Sequence, residues 1–309
     1  MNRKKIIGTL CAIGAAVCYG TNPLGALNLY KQGMQTNSVL FYRFGLAWLI
    51  IASVMLLRKE SLRVTRKEFV TLTLLGLLFT ISSLTLYLSF HHMAAGVAST
   101  ILFTYPVMTA VIMALFFKER VTPRIVFSIL LSLAGVALLY WSDLGGTLST
   151  VGVLLVLASA LSYALYIIVV DRSPLPMSSF KINFYVLLYC ALGMVAYSLL
   201  SHQPLVLPHN ATSWFYVGWL AIVPAIMALV MMVYAAKFIG STPTAIIGAL
   251  EPLTAVMIGV LVFGELFSLR LALGIVLILA SVVAIVTKSN VRHNDANTIP
   301  SKHNFNDIN

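Results

Sequence analysis

Residues 105–120 read YPVMTAVIMALFFKER, and residues 251–266 read EPLTAVMIGVLVFGEL. Laid over each other without a gap, Pro106 meets Pro252, Ile112 meets Ile258, Leu115 meets Leu261, Phe117 meets Phe263 and Glu119 meets Glu265. The same register carries Arg124 onto Arg270, Leu133 onto Leu279 and Ala134 onto Ala280. A slightly smaller offset lays the start of the chain on its middle: Gly8 on Gly152, Leu10 on Leu154, Ala16 on Ala160 and Tyr19 on Tyr163. Apolar helices resemble one another by composition alone, but chance rarely aligns Pro, Glu, Arg and Tyr in one register. The chain therefore reads as a duplication, with repeats at 1–146 and 147–288 and a polar, Asn-rich stretch at 289–309 expected to be a disordered cytoplasmic tail.

Composition sets the solvent. Hydrophobic residues make up 60% of the 309 and charged residues 9%, with a mean hydropathy of +0.96. Soluble domains carry about 25% charged residues; so few cannot cover a surface in water. Apolar windows of spanning length fall near 6–27, 37–57, 69–90, 95–117, 124–141, 151–170, 180–200, 214–236, 242–263 and 268–287. The expected fold is all-α and integral to the membrane, with ten transmembrane helices in two inverted five-helix repeats. Five is odd, so the second repeat must enter the bilayer from the side opposite to the first, an architecture that places a transport site at the repeat interface.

The net charge of +11 does not indicate nucleic acid, because the cations lie in loops between apolar spans and form no basic face. Arg3, Lys4 and Lys5 precede the first span; Arg58, Lys59, Arg63, Arg66 and Lys67 follow the second; Lys118, Arg120 and Arg124 follow the fourth. Arg172 and Lys181 follow the sixth, Lys237 the eighth, and Lys288 and Arg292 the tenth, whereas the alternate loops hold only Lys31 and Arg270. Cationic loops stay cytoplasmic. The expectation is a multi-pass protein of the cytoplasmic (inner) membrane with both termini inside. The cationic start followed by an apolar run resembles a signal peptide, but bulky Leu10 and Val17 precede Cys11 and Cys18, so it reads as a retained helix. The three cysteines, Cys190 included, lie in spans without ligand spacing and read as small buried hydrophobes.

Several features bear on chemistry. Small residues recur every fourth position in the first span (Gly8, Ala12, Ala16, Gly20), allowing close helix approach in lipid, and Gly152, Ala160 and Ala164 repeat the stripe. Proline interrupts spans at Pro23, Pro106, Pro224 and Pro252, each freeing a carbonyl four residues earlier. Pro106 and Pro252 occupy matching places in the two repeats and mark helix breaks of the kind that point to a binding site; Pro224 has no counterpart.

Glu251 lies about nine residues into its span, roughly 13 Å deep at 1.5 Å per residue. A carboxyl at that depth must face a cavity or a partner. It reads as a substrate-ammonium partner or a proton-coupling acid, with a structural hydrogen-bonded carboxyl as the alternative. Arg43 either snorkels to the outer interface or faces the cavity, binding a substrate carboxylate or balancing Glu251. Tyr19, Asn22, Tyr42, Tyr87, Tyr105, Tyr163, Tyr166, Asn183, Tyr185 and Tyr234 are candidates for a polar aromatic lining. The deeper ones, Tyr19, Tyr105 and Tyr163, are stronger, since aromatics at span ends form interfacial belts. Glu119 and Glu265 read as helix-end ionic contacts. His91 and His92, being adjacent, are poor shared metal ligands, and no cofactor motif is present.

Together these residues resemble the drug/metabolite transporter superfamily, in its ten-helix EamA-type branch. Arg43-Phe44 with Ala47 is similar to the arginine motif of that family's second helix. Ser99 through Pro106 and on to Phe117-Lys118-Glu119-Arg120-Val121-Thr122, then Ala134-Gly135-Val136, follows the first-repeat signature; Glu251-Pro252 with Gly264-Glu265 follows the second. The likeness covers residues 6–287. Leu266 replaces a usual basic residue, and Ser128 and Ser281 stand where glycine is usual, which bears on close packing. The resemblance implies a monomeric, pseudosymmetric bundle with a central cavity and its fifth and tenth helices at the periphery. It also implies transport of amino acids, nucleosides, sugars or other metabolites, often by proton-coupled exchange. The resulting expectation is a secondary transporter and not an enzyme: an exporter of amino acids or related compounds, its partners a small metabolite, the bilayer and protons. An uptake carrier of the same fold is the alternative. An intramembrane enzyme would need clustered His, Asp or Ser inside the spans, and a non-transporting sensor would not need duplicated broken helices.

Overall fold

The computed structural model describes residues 3–118, 122–140, 149–173, 175 and 177–296. Among these every regular element is helical. The first apolar stretch is two helices, α1 (Arg3–Gly20) and α2 (Asn22–Lys31). Then come α3 (Thr36–Leu57), α4 (Arg66–Ser89), α5 (Ala95–Leu102), α6 (Tyr105–Phe116) and α7 (Pro123–Tyr140). The second half comprises α8 (Thr150–Arg172), α9 (Ser179–Leu200), α10 (Ala211–Ile222), a π-helical turn at Val223–Met227, α11 (Ala228–Ile239), α12 (Ser241–Gly248), α13 (Leu250–Phe263) and α14 (Leu269–Ala296).

Eight helical stretches among the described residues are long and apolar enough to cross a bilayer, and two shorter apolar helices, Ile125–Leu139 and Leu269–Ala284, stand where the fifth and tenth spans were expected. α14 continues beyond Lys288 to Ala296, so helix extends into the stretch expected to be a disordered tail. Residues 297–309, residues 141–148 where the two repeats join, and Glu119 lie outside the described residues.

The chain breaks its helices where proline dictates. Pro23 deprives the Tyr19 carbonyl of its i+4 donor, and the Asn22 side-chain amide takes the place of the lost N–H, donating to Tyr19 O at 2.9 Å. Just before it, the Thr21 hydroxyl and backbone N–H both donate to Cys18 O, at 2.7 and 3.2 Å. Pro106 stands in the first turn of α6 and Pro252 in the first turn of α13, so the matched prolines open matched half-helices. Pro224 instead lies in the π-helical turn, a single-turn widening that proline accommodates because one backbone donor is already missing. At the ends of spans, caps take over: Thr65 and Glu68 form a reciprocal capping box at the start of α4, and Ser178 and Asn210 cap α9 and α10. Gly264, at φ +70, ends α13 in the left-handed conformation that glycine adopts without a Cβ clash.

Packing follows the duplication. α1 lies on α11 as α8 lies on α4; α13 lies on α1 as α6 lies on α8; α3 pairs with α9 and α7 with α14. Exchanging the two halves leaves this pattern unchanged. The equivalent helices α3 and α9 are antiparallel. At one end Asn37 donates to Gln203 O (2.8 Å) and Ser38 Oγ accepts from Val206 N (3.0 Å). At the other, Ser178 donates to Glu60 (2.6 Å), and Lys181 and Tyr185 donate to the carbonyls of Arg63 and Leu62. Equivalent helices running opposite ways are what inverted repeats require.

The small-residue stripe of α1 is buried along its length. A Cβ on Gly8 would fall 2.7 Å from Ile239, and one on Gly20 would fall 2.5 Å from the Thr254 side chain and 2.7 Å from the Glu251 carbonyl. α1 is therefore pressed directly against the first turn of α13. The α7–α14 pair is as close despite serine at 128 and 281: Gly135 meets Ile278 and the Gly274 carbonyl, and both serines are fully buried.

Candidate functional site: a polar space between the two halves

The breaks at Thr21, at Phe103-Thr104 and at Ala249 bring three half-helix ends into the middle of the bundle, where four elements add their polar groups. α3 brings Arg43, α4 Tyr87, α8 Tyr163 and Tyr166, and α13 Glu251. Tyr105 and Glu251, equivalent under the duplication, open α6 and α13 respectively. A carboxyl in a first helical turn is favoured by the positive end of the helix dipole.

Arg43 does not reach for the outer interface. It is 7% exposed and donates from Nη1 to the Tyr87 hydroxyl at 2.5 Å. Tyr87, 1% exposed, in turn donates to Asn22 Oδ1 at 3.2 Å. A single chain of bonds thus runs from the guanidinium, through Tyr87, to the amide that closes the α1–α2 break. The Nε of Arg43 is buried without a hydrogen-bond partner, and Nη2 makes no bond among the described residues. Neither nitrogen of the Nε–Nη2 edge, which grips a carboxylate in bidentate fashion, has a partner among the described residues.

Glu251, Tyr19, Tyr105 and Tyr163 lie deep in the bundle yet keep accessible surface. Each is thus only partly covered by its neighbours, and Tyr105 also packs against the edge of the hydrophobic core. No described donor bonds the Glu251 carboxyl; the one opposite charge that bears on it is the Arg43 guanidinium. The aromatic wall is continuous. Tyr105 meets Tyr163 edge-on at 4.7 Å, Tyr163 stacks parallel to Tyr166 at 5.9 Å, and Phe79 meets Tyr166 at 5.4 Å. Aromatic faces beside a carboxyl form a surface that attracts an ammonium, while the unpartnered guanidinium edge attracts an anion.

Of the residues singled out from the sequence, the structure gathers Arg43, Glu251, Tyr19, Asn22, Tyr105 and Tyr163, with Tyr87 and Tyr166, around this space. Four aromatic or amide candidates lie elsewhere. Tyr42 meets Trp214 edge-on at 5.9 Å, and Asn183 bonds the Ser179 carbonyl of its own helix. Tyr185 bonds the Leu62 carbonyl, and Tyr234 is exposed.

Glu265 corrects an expectation. In place of a cation, its carboxyl accepts the backbone N–H groups of Ala95 (2.8 Å) and Gly96 (3.3 Å), capping α5 from the opposite repeat. Burial pushes this carboxyl above the usual carboxylate range, partly offset by the two N–H donors. A Cβ on Gly259 would overlap Glu265 at 2.1 Å, so glycine there makes the seat. His91 is likewise structural: it stacks on Tyr30 at 4.3 Å and shares a 3.0 Å hydrogen bond with Thr36.

A model of the EamA-like transporter family matches residues 6–141 and 150–287, one copy for each half. This chain belongs to the EamA-like transporter family. A protein of Archaeoglobus fulgidus named an uncharacterized transporter is 26% identical over 280 residues, covering 89% of this chain and 95% of its own length. The uncharacterized transporter YvbV of Bacillus subtilis is 28% identical over 208 residues, covering 65% of this chain and 66% of its own. A solved crystal structure superposes with a TM-score of 0.66 at 20% identity, over 93% of this chain and 98% of that one, and shares the fold. The chain is thus a multi-pass membrane protein of a transporter family.

Proposed function

We propose that this protein is a secondary transporter exporting amino acids or closely related metabolites across the cytoplasmic membrane. It works by alternating access of two inverted five-span repeats, with proton coupling through Glu251. The observation that carries this reading is the pairing of an unpartnered Arg43 edge with a Glu251 carboxyl that no described donor bonds, beside Tyr19, Tyr105 and Tyr163. A compound with carboxylate and ammonium groups would satisfy both ends at once. The half-helix N-terminus carrying Glu251 and the breaks at Pro106 and Pro252 support a site at the repeat interface.

Liposomes reconstituted with the purified protein and loaded with a panel of amino acids, nucleosides and sugars test this. An imposed pH gradient should drive accumulation of at least one amino-acid-like compound. Accumulation of sugars or nucleosides alone would reject the substrate class.

Orientation has its own test. Reporter fusions at Ser61, Arg172 and Asn290 should report cytoplasm, and fusions at Gly145 and Gln203 the outside. A cytoplasmic signal at Gly145 would overturn the ten-span count together with the placement of both termini.

A further inference from the structure

A second recess has no part in the central site. Between α6, α7 and α8 the structure holds a groove of about 530 Å³, within the size range of small-molecule pockets. α6 packs against both α7 and α8 and lines the groove with Val111 among others, while Leu133 of α7 and Leu154 of α8 line it from the other helices. Both leucines are 61% exposed, and in a membrane-spanning chain such exposed apolar surface faces acyl chains. Among the described residues no charged side chain lines the groove.

One polar group is out of place in it. Thr104 occupies the N-cap position of α6, where a threonine hydroxyl ordinarily accepts an N–H of the first turn. Here it makes no such bond; Val107 and Met108 donate to the Thr104 backbone carbonyl instead, at 3.0 and 3.1 Å. Thr104 is among the residues that line the groove and is 3% exposed; its hydroxyl is buried without a partner, which is a costly state for a buried polar atom.

We propose that this groove is a lateral binding site for a neutral amphiphile dissolved in the bilayer, its aliphatic chain lying between α7 and α8 and its hydroxyl or carbonyl oxygen hydrogen-bonded to Thr104. A plain acyl chain would fill the volume but leave Thr104 unpaired, and a charged amphiphile would find no counter-charge. Thr104 adjoins Tyr105, so occupancy bears on the α5–α6 break from the lipid side. The site stands whatever the central space transports.

The probe is octanol carrying a diazirine on its chain, photolysed with the full-length protein in lipid nanodiscs, with labelled residues located by mass spectrometry. Labelling should concentrate on the groove-facing residues of α6, α7 and α8 and be displaced by excess octanol. It should fall at least fivefold in Ala158→Trp, which fills the groove, and at least threefold in Thr104→Val, which keeps the shape and removes only the hydroxyl. Lipid-facing Leu192 on α9, exposed and not among the residues that line the groove, is the control and should label weakly and without displacement. Equal labelling of the groove and Leu192, undisplaced by octanol, would mean the groove holds bulk lipid and would overturn the proposal. Wild-type labelling in Thr104→Val would overturn it too, and that variant serves even if the tryptophan variant does not fold.

Discussion

Glu251→Gln is expected to abolish accumulation driven by a pH gradient while leaving substrate binding and substrate–substrate exchange close to wild type. Glutamine keeps the shape of the side chain and removes the proton it would exchange. It keeps the same place beside Tyr19, Tyr105 and Tyr163, so the site is preserved. A carboxyl this deep is costly to hold charged without a donor, and no described residue supplies one; a proton or a substrate group is the partner its position calls for. If the carboxyl holds a substrate ammonium, binding itself weakens by about tenfold or more, about 1.4 kcal/mol. Calorimetric binding and proton-driven flux, compared between wild type and Glu251→Gln, separate the two roles. Unchanged values for both would falsify each of them and leave Glu251 as a structural carboxyl.

Arg43→Ala and Arg43→Lys are both expected to lower transport by about tenfold or more, with expression near normal. The alanine variant removes the cation and leaves Tyr87 and Asn22 without the group they orient. The lysine variant is the sharper of the two. It keeps the charge but has no planar fork, so the unpartnered Nε–Nη2 edge has no replacement. Flux and substrate affinity in liposomes provide the measurement. Full rescue by lysine would reduce Arg43 to a point charge and remove the case for bidentate recognition of a carboxylate.

Much of this architecture was legible because rare residues betray it. Pro106 against Pro252 and Glu119 against Glu265 expose the duplication, and proline chemistry then places the helix breaks within two or three residues of where they occur. The depth of Glu251 followed from counting residues along its span. Arg43 was not decidable in the same way: its distance from the span end suits snorkelling and a cavity equally. What turns it inward is Tyr87, which stands two residues before the end of α4 and by position alone resembles an interfacial aromatic. Asn22 was a plausible lining residue, but its double bond, to the freed Tyr19 carbonyl and to Tyr87, depends on tertiary placement. Glu265 was read as an ionic contact because a charged residue suggests a charged partner; its partners are the backbone N–H groups of Ala95 and Gly96, and backbone donors leave no mark in composition. The unpaired hydroxyl of Thr104 was hidden for a related reason, since threonine at a helix start is ordinarily a satisfied cap.

The central claim is that Tyr105 and Tyr163 border a space that opens to water alternately on the two sides of the membrane. In a variant with Cys11, Cys18 and Cys190 replaced, single cysteines at Tyr105 and Tyr163 can be probed in sealed vesicles with a membrane-impermeant thiol reagent, added to either face. Both positions should label from both sides, while a cysteine at lipid-facing Leu49 should label from neither. Tyr105 and Tyr163 as inert as Leu49 from both faces would mean a packed interior, and would contradict the account.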